Sequence, residues 1–80
     1  CGPCKLLAAE VFPTAEFKKL SKNLVFCKID VDQDKATSQA YNITAMPTQM
    51  VVNADGSVVT TKVGYGGVAD FFNTFGKFAN

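Results

Sequence analysis

Two cysteines stand at the start of the chain with only a glycine and a proline between them, Cys1-Gly2-Pro3-Cys4. Pro3 fixes φ and lacks an N–H, which suits the first turn of a helix and little else in regular structure. The motif therefore predicts a helix that opens on Cys1. A sulfur there meets unpaired backbone N–H groups and the positive end of the helix dipole. Both favour thiolate, the reactive form, and lower a cysteine pKa from about 8.5 toward roughly 7. Cys4 follows about one turn later, close enough to attack a mixed disulfide formed at Cys1.

A C-x-x-C pair is also half of many zinc sites. Structural zinc takes about four ligands, and this sequence offers no histidine and only one further cysteine, Cys27. An inert staple fits poorly too, because a bridge from residue 1 to residue 4 closes too short a loop to restrict the unfolded chain much. Redox chemistry is the stronger reading.

Eighty residues make one small domain, and an apolar fraction of 48% with seven phenylalanines is ample for a packed interior. A net charge of +1 gives no electrostatic case for nucleic acid or an anionic membrane. No apolar run approaches a membrane span. Three cysteines do not form a secreted disulfide framework, which points to a reducing, cytoplasmic setting. The chain opens on its own reactive motif, so further residues are expected ahead of Cys1.

Residues 3 to about 22 read as a helix whose apolar stripe is Leu6, Ala9, Pro13, Phe17 and Leu20, widened by Val11, Phe12 and Ala15. Pro13 is expected to kink that helix or split it in two. Leu24 to Ile29 is apolar on both faces and predicts a buried strand, with Cys27 as a small buried hydrophobe. Lys28 is the odd residue in that run, either reaching water from the strand end or acting near the dithiol. The aspartates at 30, 32 and 34 lack the glycine and glutamate of a calcium loop and read as helix caps. A short helix from Asp34 to Tyr41 follows, closed by Asn42 in a left-handed conformation. Pro47 opens a strand from Thr48 to Val52. Asn53-Ala54-Asp55-Gly56 makes a hairpin turn into a second strand, Ser57 to Val63. Gly64 begins a glycine-rich loop, and residues 68–79 form a closing helix with Phe71, Phe72, Phe75 and Phe78 on one side.

Taken together, Cys-Gly-Pro-Cys-Lys, Lys28-Ile29-Asp30-Val31-Asp32, Ile43-Thr44-Ala45-Met46-Pro47-Thr48, Asp55-Gly56 and Thr61-Lys62-Val63-Gly64 resemble the thioredoxin family in order and approximate spacing. The likeness runs over essentially the whole chain. It implies an α/β, thioredoxin-like fold in a single domain, residues 1–80, incomplete at its N-terminus. The sheet remnant would be one buried strand plus a C-terminal antiparallel hairpin, with three helices. By the same resemblance Cys1 is the nucleophile, Cys4 the resolving thiol, and Gly2 and Pro3 the spacer. Pro47 matches a cis-proline facing the disulfide. Met46, Pro47 and Thr48, with Gly64 and Tyr65, match the substrate groove, and Lys28 matches a lysine that tunes the resolving cysteine.

What the resemblance implies chemically is a protein-disulfide reductase with no cofactor beyond the Cys1–Cys4 couple. Its partners would be disulfide-containing proteins and a thioredoxin reductase-type electron donor, with neither nucleic acid nor membrane. The family's usual pattern differs in two respects. The active-site helix is longer here by most of a turn, its proline falling at 13 rather than near Ala9. The strand, helix and central strand that usually precede the motif are not in this sequence, nor is the buried aspartate they carry. Residues 24–29 and 48–52 would then face each other as unpaired edges, completed by residues outside this sequence or by another chain or fragment. Two further readings compete with the reductase: a truncated or inactive thioredoxin-like binding or scaffold domain, and a protein disulfide isomerase-like domain.

Overall fold

In a computed structural model, which describes residues 1–79, the chain folds as four α-helices, a two-stranded sheet and a final 3-10 turn. Helix α1 spans Gly2–Glu10 and α2 spans Ala15–Ser21. The break between them is the work of Pro13, whose ring cannot sit inside a continuous helix. Thr14 organises the restart. Its hydroxyl donates to the Val11 carbonyl at 2.7 Å and accepts the Phe17 N–H at 3.1 Å, capping α2. Of the two outcomes expected at Pro13 the split is the one found, and the predicted three helices become four.

The break also changes which face of α1 is buried. Leu7 and Val11, four residues apart, enter the core, while Leu6 is half exposed and Ala9 and Pro13 face solvent. The expected stripe assumed one uninterrupted helical phase from Leu6 to Leu20. Without that phase, α1 and α2 choose their buried faces separately.

Helix α3, Lys35–Ala40, is capped by Asp34, whose carboxylate accepts the Thr37 N–H at 3.1 Å and the Thr37 hydroxyl at 2.8 Å. These bonds hold the Asp34 carboxyl below its ordinary range, the backbone N–H being the larger cause. Asn42 follows at φ 56°, as its C′ position predicts. Strands β1, Thr48–Val52, and β2, Val58–Val63, pair antiparallel with Thr48 opposite Val63 and an irregularity between Val51 and Val52. The Asn53–Gly56 turn closes the hairpin: Gly56 sits at φ 90°, and Asp55 accepts both the N–H and the hydroxyl of Ser57.

Helix α4, Val68–Phe75, and the 3-10 turn Gly76–Ala79 complete the chain. The core is small: Leu7, Val11, Leu20, Phe71 and Phe75 form its buried cluster. Aromatic contacts knit it, with Phe71 centred 4.9 Å from Phe75 and 6.3 Å from Phe17.

Residues 24–29 are the clear departure from expectation. They form no strand, Val25 is 91% exposed, and Cys27 lies at the surface rather than in the interior. A strand exists only through its ladder, and no described segment lies alongside to supply one. Leu24 and Phe26 anchor the segment instead. Leu24 packs on the core, and the Phe26 ring lies 5.1 Å from Phe12 and 5.6 Å from Phe17.

Candidate active site

The helix predicted from the cysteine motif starts where it should. Cys1 is the N-cap of α1, and its sulfur accepts the Cys4 N–H at 3.3 Å. Cys1 and Cys4 are joined as a disulfide with their Cα atoms 5.3 Å apart, Cys1 exposed and Cys4 partly buried. Pro3 occupies the first turn, where its missing N–H leaves no helical bond unmade. Because Cys1 caps the helix, any negative charge on its sulfur after reduction faces the Cys4 N–H and the positive pole of α1.

Pro47 is buried, and the Met46–Pro47 peptide bond is cis. The loop after β2 meets it directly: the Gly64 N–H donates to the Pro47 carbonyl at 2.7 Å. The Thr48 hydroxyl donates to the Ala45 carbonyl at 2.6 Å, bracing the turn before β1.

A cavity of about 420 Å³ runs between α1, residues 24–29, β1 and α4. Cys4, Lys28, Met46, Pro47 and Thr48 lie on its walls, so the fold brings these five predicted site residues to one place. Cys1, Gly2, Pro3, Gly64 and Tyr65 do not line it; they lie outside at the motif and on the loop. Thr48, Gln49, Met50 and Val51 line the cavity in succession. Side chains of a strand alternate between faces, so four in a row means that the cavity follows the open edge of β1. The Gln49 side-chain amide is buried there, and neither of its polar atoms has a hydrogen-bond partner. Lys28 is exposed, and the one ion pair among the described residues is Lys62–Asp70 at 2.6 Å.

Tyr65 reaches the other way. Its hydroxyl donates to Oε1 of Glu10, the last residue of α1, at 2.7 Å. Partial burial, the hydrogen bond and the Glu10 charge together push the Tyr65 phenol up to about 12. The sequence reading passed over Glu10, since a single acid at a helix end matches no motif. A helix running from residue 3 to 22 puts Glu10 in its interior; only a break before Pro13 leaves that carboxylate beside the negative pole of a helix. Among the described residues no group of three His, Cys, Asp or Glu side chains is arranged to hold a metal, and no helix is long and apolar enough to cross a membrane.

A Cys1–Cys4 bridge capping a helix, with Cys4 lining the same cavity as a cis-proline, defines a chain of the thioredoxin-like class. The family model for thioredoxin matches residues 1–75, and the chain belongs to the thioredoxin family. It is 39% identical over 67 residues to the thioredoxin of Bacillus subtilis (strain 168), covering 81% of this chain and 60% of that protein. It is 42% identical over 64 residues to a thioredoxin H-type of Oryza sativa subsp. indica, covering 80% of this chain and 49% of the relative. With the thioredoxin of Pseudomonas aeruginosa it shares 36% identity over 64 residues, 56% of that protein. The chain thus spans about half the length of these curated relatives. Proteins of this family work with a redox-active disulfide rather than a bound cofactor. The helices and antiparallel hairpin here are a truncated form of its α/β fold.

Proposed function

We propose that the chain carries the reaction centre of a thiol–disulfide oxidoreductase that reduces disulfides in partner proteins. The observation that carries this reading is the Cys1–Cys4 bridge with the Cys1 sulfur at the α1 N-cap. In the reduced state the Cys1 thiolate attacks one sulfur of a substrate disulfide. A Cys1–substrate bond forms and the first substrate thiolate leaves. Cys4, as thiolate, then attacks the Cys1 sulfur and expels the second. Two electrons pass to the substrate, and the chain is left as the Cys1–Cys4 disulfide. An external dithiol donor, of the thioredoxin reductase type, returns it to the start.

Met46, Pro47 and Thr48 with Gly64 and Tyr65 would receive the substrate chain, the Met46 backbone pairing with an extended segment. Lys28 shares a cavity wall with Cys4, which supports a role for its charge in easing loss of the Cys4 proton. The Gly-Pro spacer adds no charge between the sulfurs, so it stabilises thiolate less than a histidine would. That favours a reductant, with a potential near the thioredoxin value of about −270 mV.

The decisive assay is reduction of insulin disulfides by the full chain and its Cys1→Ser variant. The serine variant should fall to the uncatalysed rate. Equal rates would leave a binding or scaffold domain, and a measured potential near −120 mV would leave a disulfide oxidant instead.

We read the cavity itself as the slot for a further extended segment between residues 24–29 and β1, supplied by another stretch of the full protein or by another chain. The open β1 edge and the unpartnered Gln49 amide support this. Amide exchange on the 80-residue chain tests it: Val25 should exchange at close to the unprotected rate. Strong protection of Val25 and Val51 in a monomer would mean the chain closes that gap alone.

A further inference from the structure

The loop between β2 and α4 is built from residues with little conformational preference. Gly64, Gly66 and Gly67 surround Tyr65, with Gly64 at φ 87° and Gly67 at φ 105°. Such a loop keeps one shape only where side chains hold it. On one side the loop abuts Asp70, close enough that a Cβ on Gly66 would meet its Oδ2 at 2.7 Å, and Lys62 pairs with that carboxylate at 2.6 Å. On the other side the Tyr65 ring packs on the core cluster and its hydroxyl ends on Glu10.

Glu10 is poorly placed for the stability of its own helix. It is the last residue of α1, where the dipole repels a carboxylate, and it is exposed. Its described hydrogen-bond partner is Tyr65. Among the described residues this is also the one side-chain hydrogen bond that joins α1 to any other part of the fold. The helix that presents Cys1 is thereby tied to the loop whose first residue donates to the Pro47 carbonyl. Helix α1 is about 13 Å long at 1.5 Å per residue, so the tie lies at the end away from the sulfurs. It can set the angle between α1 and the loop without touching the reacting atoms.

We propose that the Tyr65–Glu10 hydrogen bond is a clasp that holds the docking loop against the active-site helix, making Glu10 and the Tyr65 hydroxyl positioning residues for protein substrates. The proposal rests on the reductase reading above. The raised phenol ionisation accords with it, because a donor held by a carboxylate resists losing its proton.

The test compares the full chain with Tyr65→Phe, Glu10→Ala and Glu10→Gln. Phenylalanine keeps the ring in the core and removes only the donor, while glutamine keeps an acceptor. With insulin as substrate, Tyr65→Phe and Glu10→Ala should each raise KM about 3- to 10-fold, the scale of one hydrogen bond, with kcat unchanged. Glu10→Gln should recover part of the loss. The double variant should be no worse than either single one, because both remove the same bond. Reduction of a small aromatic disulfide, which needs no docking loop, should keep its wild-type rate in Glu10→Ala. Absorbance of tyrosinate at alkaline pH gives a readout independent of activity: in Glu10→Ala the titration near 12 should move down. An unchanged insulin KM in Tyr65→Phe overturns the clasp, and so does an equal loss toward both substrates, which marks general damage. A wild-type chain inert toward insulin, and matched by Cys1→Ser, overturns the reductase reading itself and the docking role with it.

Discussion

Serine in place of Cys4 is expected to convert the chain from a catalyst into a trap. Cys1 keeps its place at the α1 N-cap and still attacks a substrate disulfide. The second attack is lost, because the group that should resolve the adduct one turn away no longer has a sulfur. In the wild type that attack is intramolecular and gains the large effective concentration of a held neighbour. Without it, release depends on external thiols, and turnover of insulin should fall by at least about 100-fold. The first step should survive, so non-reducing electrophoresis or intact mass should find one substrate chain bound per protein. Cys27 is free and exposed, so the experiment belongs in a Cys27→Ser background, where any adduct must sit on Cys1. Turnover near the wild-type rate, or no adduct in that background, would remove Cys4 from the resolving role.

The parts of the fold that sequence reading anticipated are those decided locally. The Asp34 cap, the left-handed Asn42 and the Asp55-Gly56 turn each depend on contacts within a few residues, and that turn brings β1 its partner β2. What could not be read depends on distant partners. Leu24 to Ile29 has the composition of a buried strand, but a strand forms only against a neighbour, and composition is silent about whether one is present. Its misreading carried Cys27 with it, from interior to surface. The face of α1 was misjudged for a related reason. A continuous helical phase through Pro13 leaves Leu7 off the apolar stripe, whereas the break lets it turn inward with Val11, independently of α2.

The site divides along the same line. The Cys1–Cys4 bridge could be read from chemistry and spacing, and the cis bond at Pro47 from the resemblance of its surroundings. That Cys4, Lys28 and Pro47 share one cavity is a tertiary fact. Glu10 was out of reach because its partner lies far along the chain, in a loop whose glycines carry no record of what holds them.

Truncating Phe71 to alanine should have the largest effect on stability of any single change. It is one of the few buried side chains, 5% exposed, and its ring contacts those of Phe17, Phe72 and Phe75. Removing a buried phenylalanine costs about 3–5 kcal/mol, counting transfer and the cavity left behind. The upper part of that range applies here, since Phe71 also forms a wall of the existing cavity and its loss enlarges a void rather than creating one that neighbours can fill. Small domains hold only about 5–15 kcal/mol in total, and a core of this size puts the chain near the lower bound. Phe71→Ala should therefore lose cooperative urea unfolding at 25 °C, while Phe78→Ala, partly exposed beside the 3-10 turn, should keep it with a lowered midpoint. A Phe71→Ala midpoint displaced by the equivalent of less than about 1 kcal/mol would mean that the aromatic cluster is not what holds the helices together. In that case the support for α1, and for the sulfur at its tip, would have to come chiefly from whatever fills the gap beside β1.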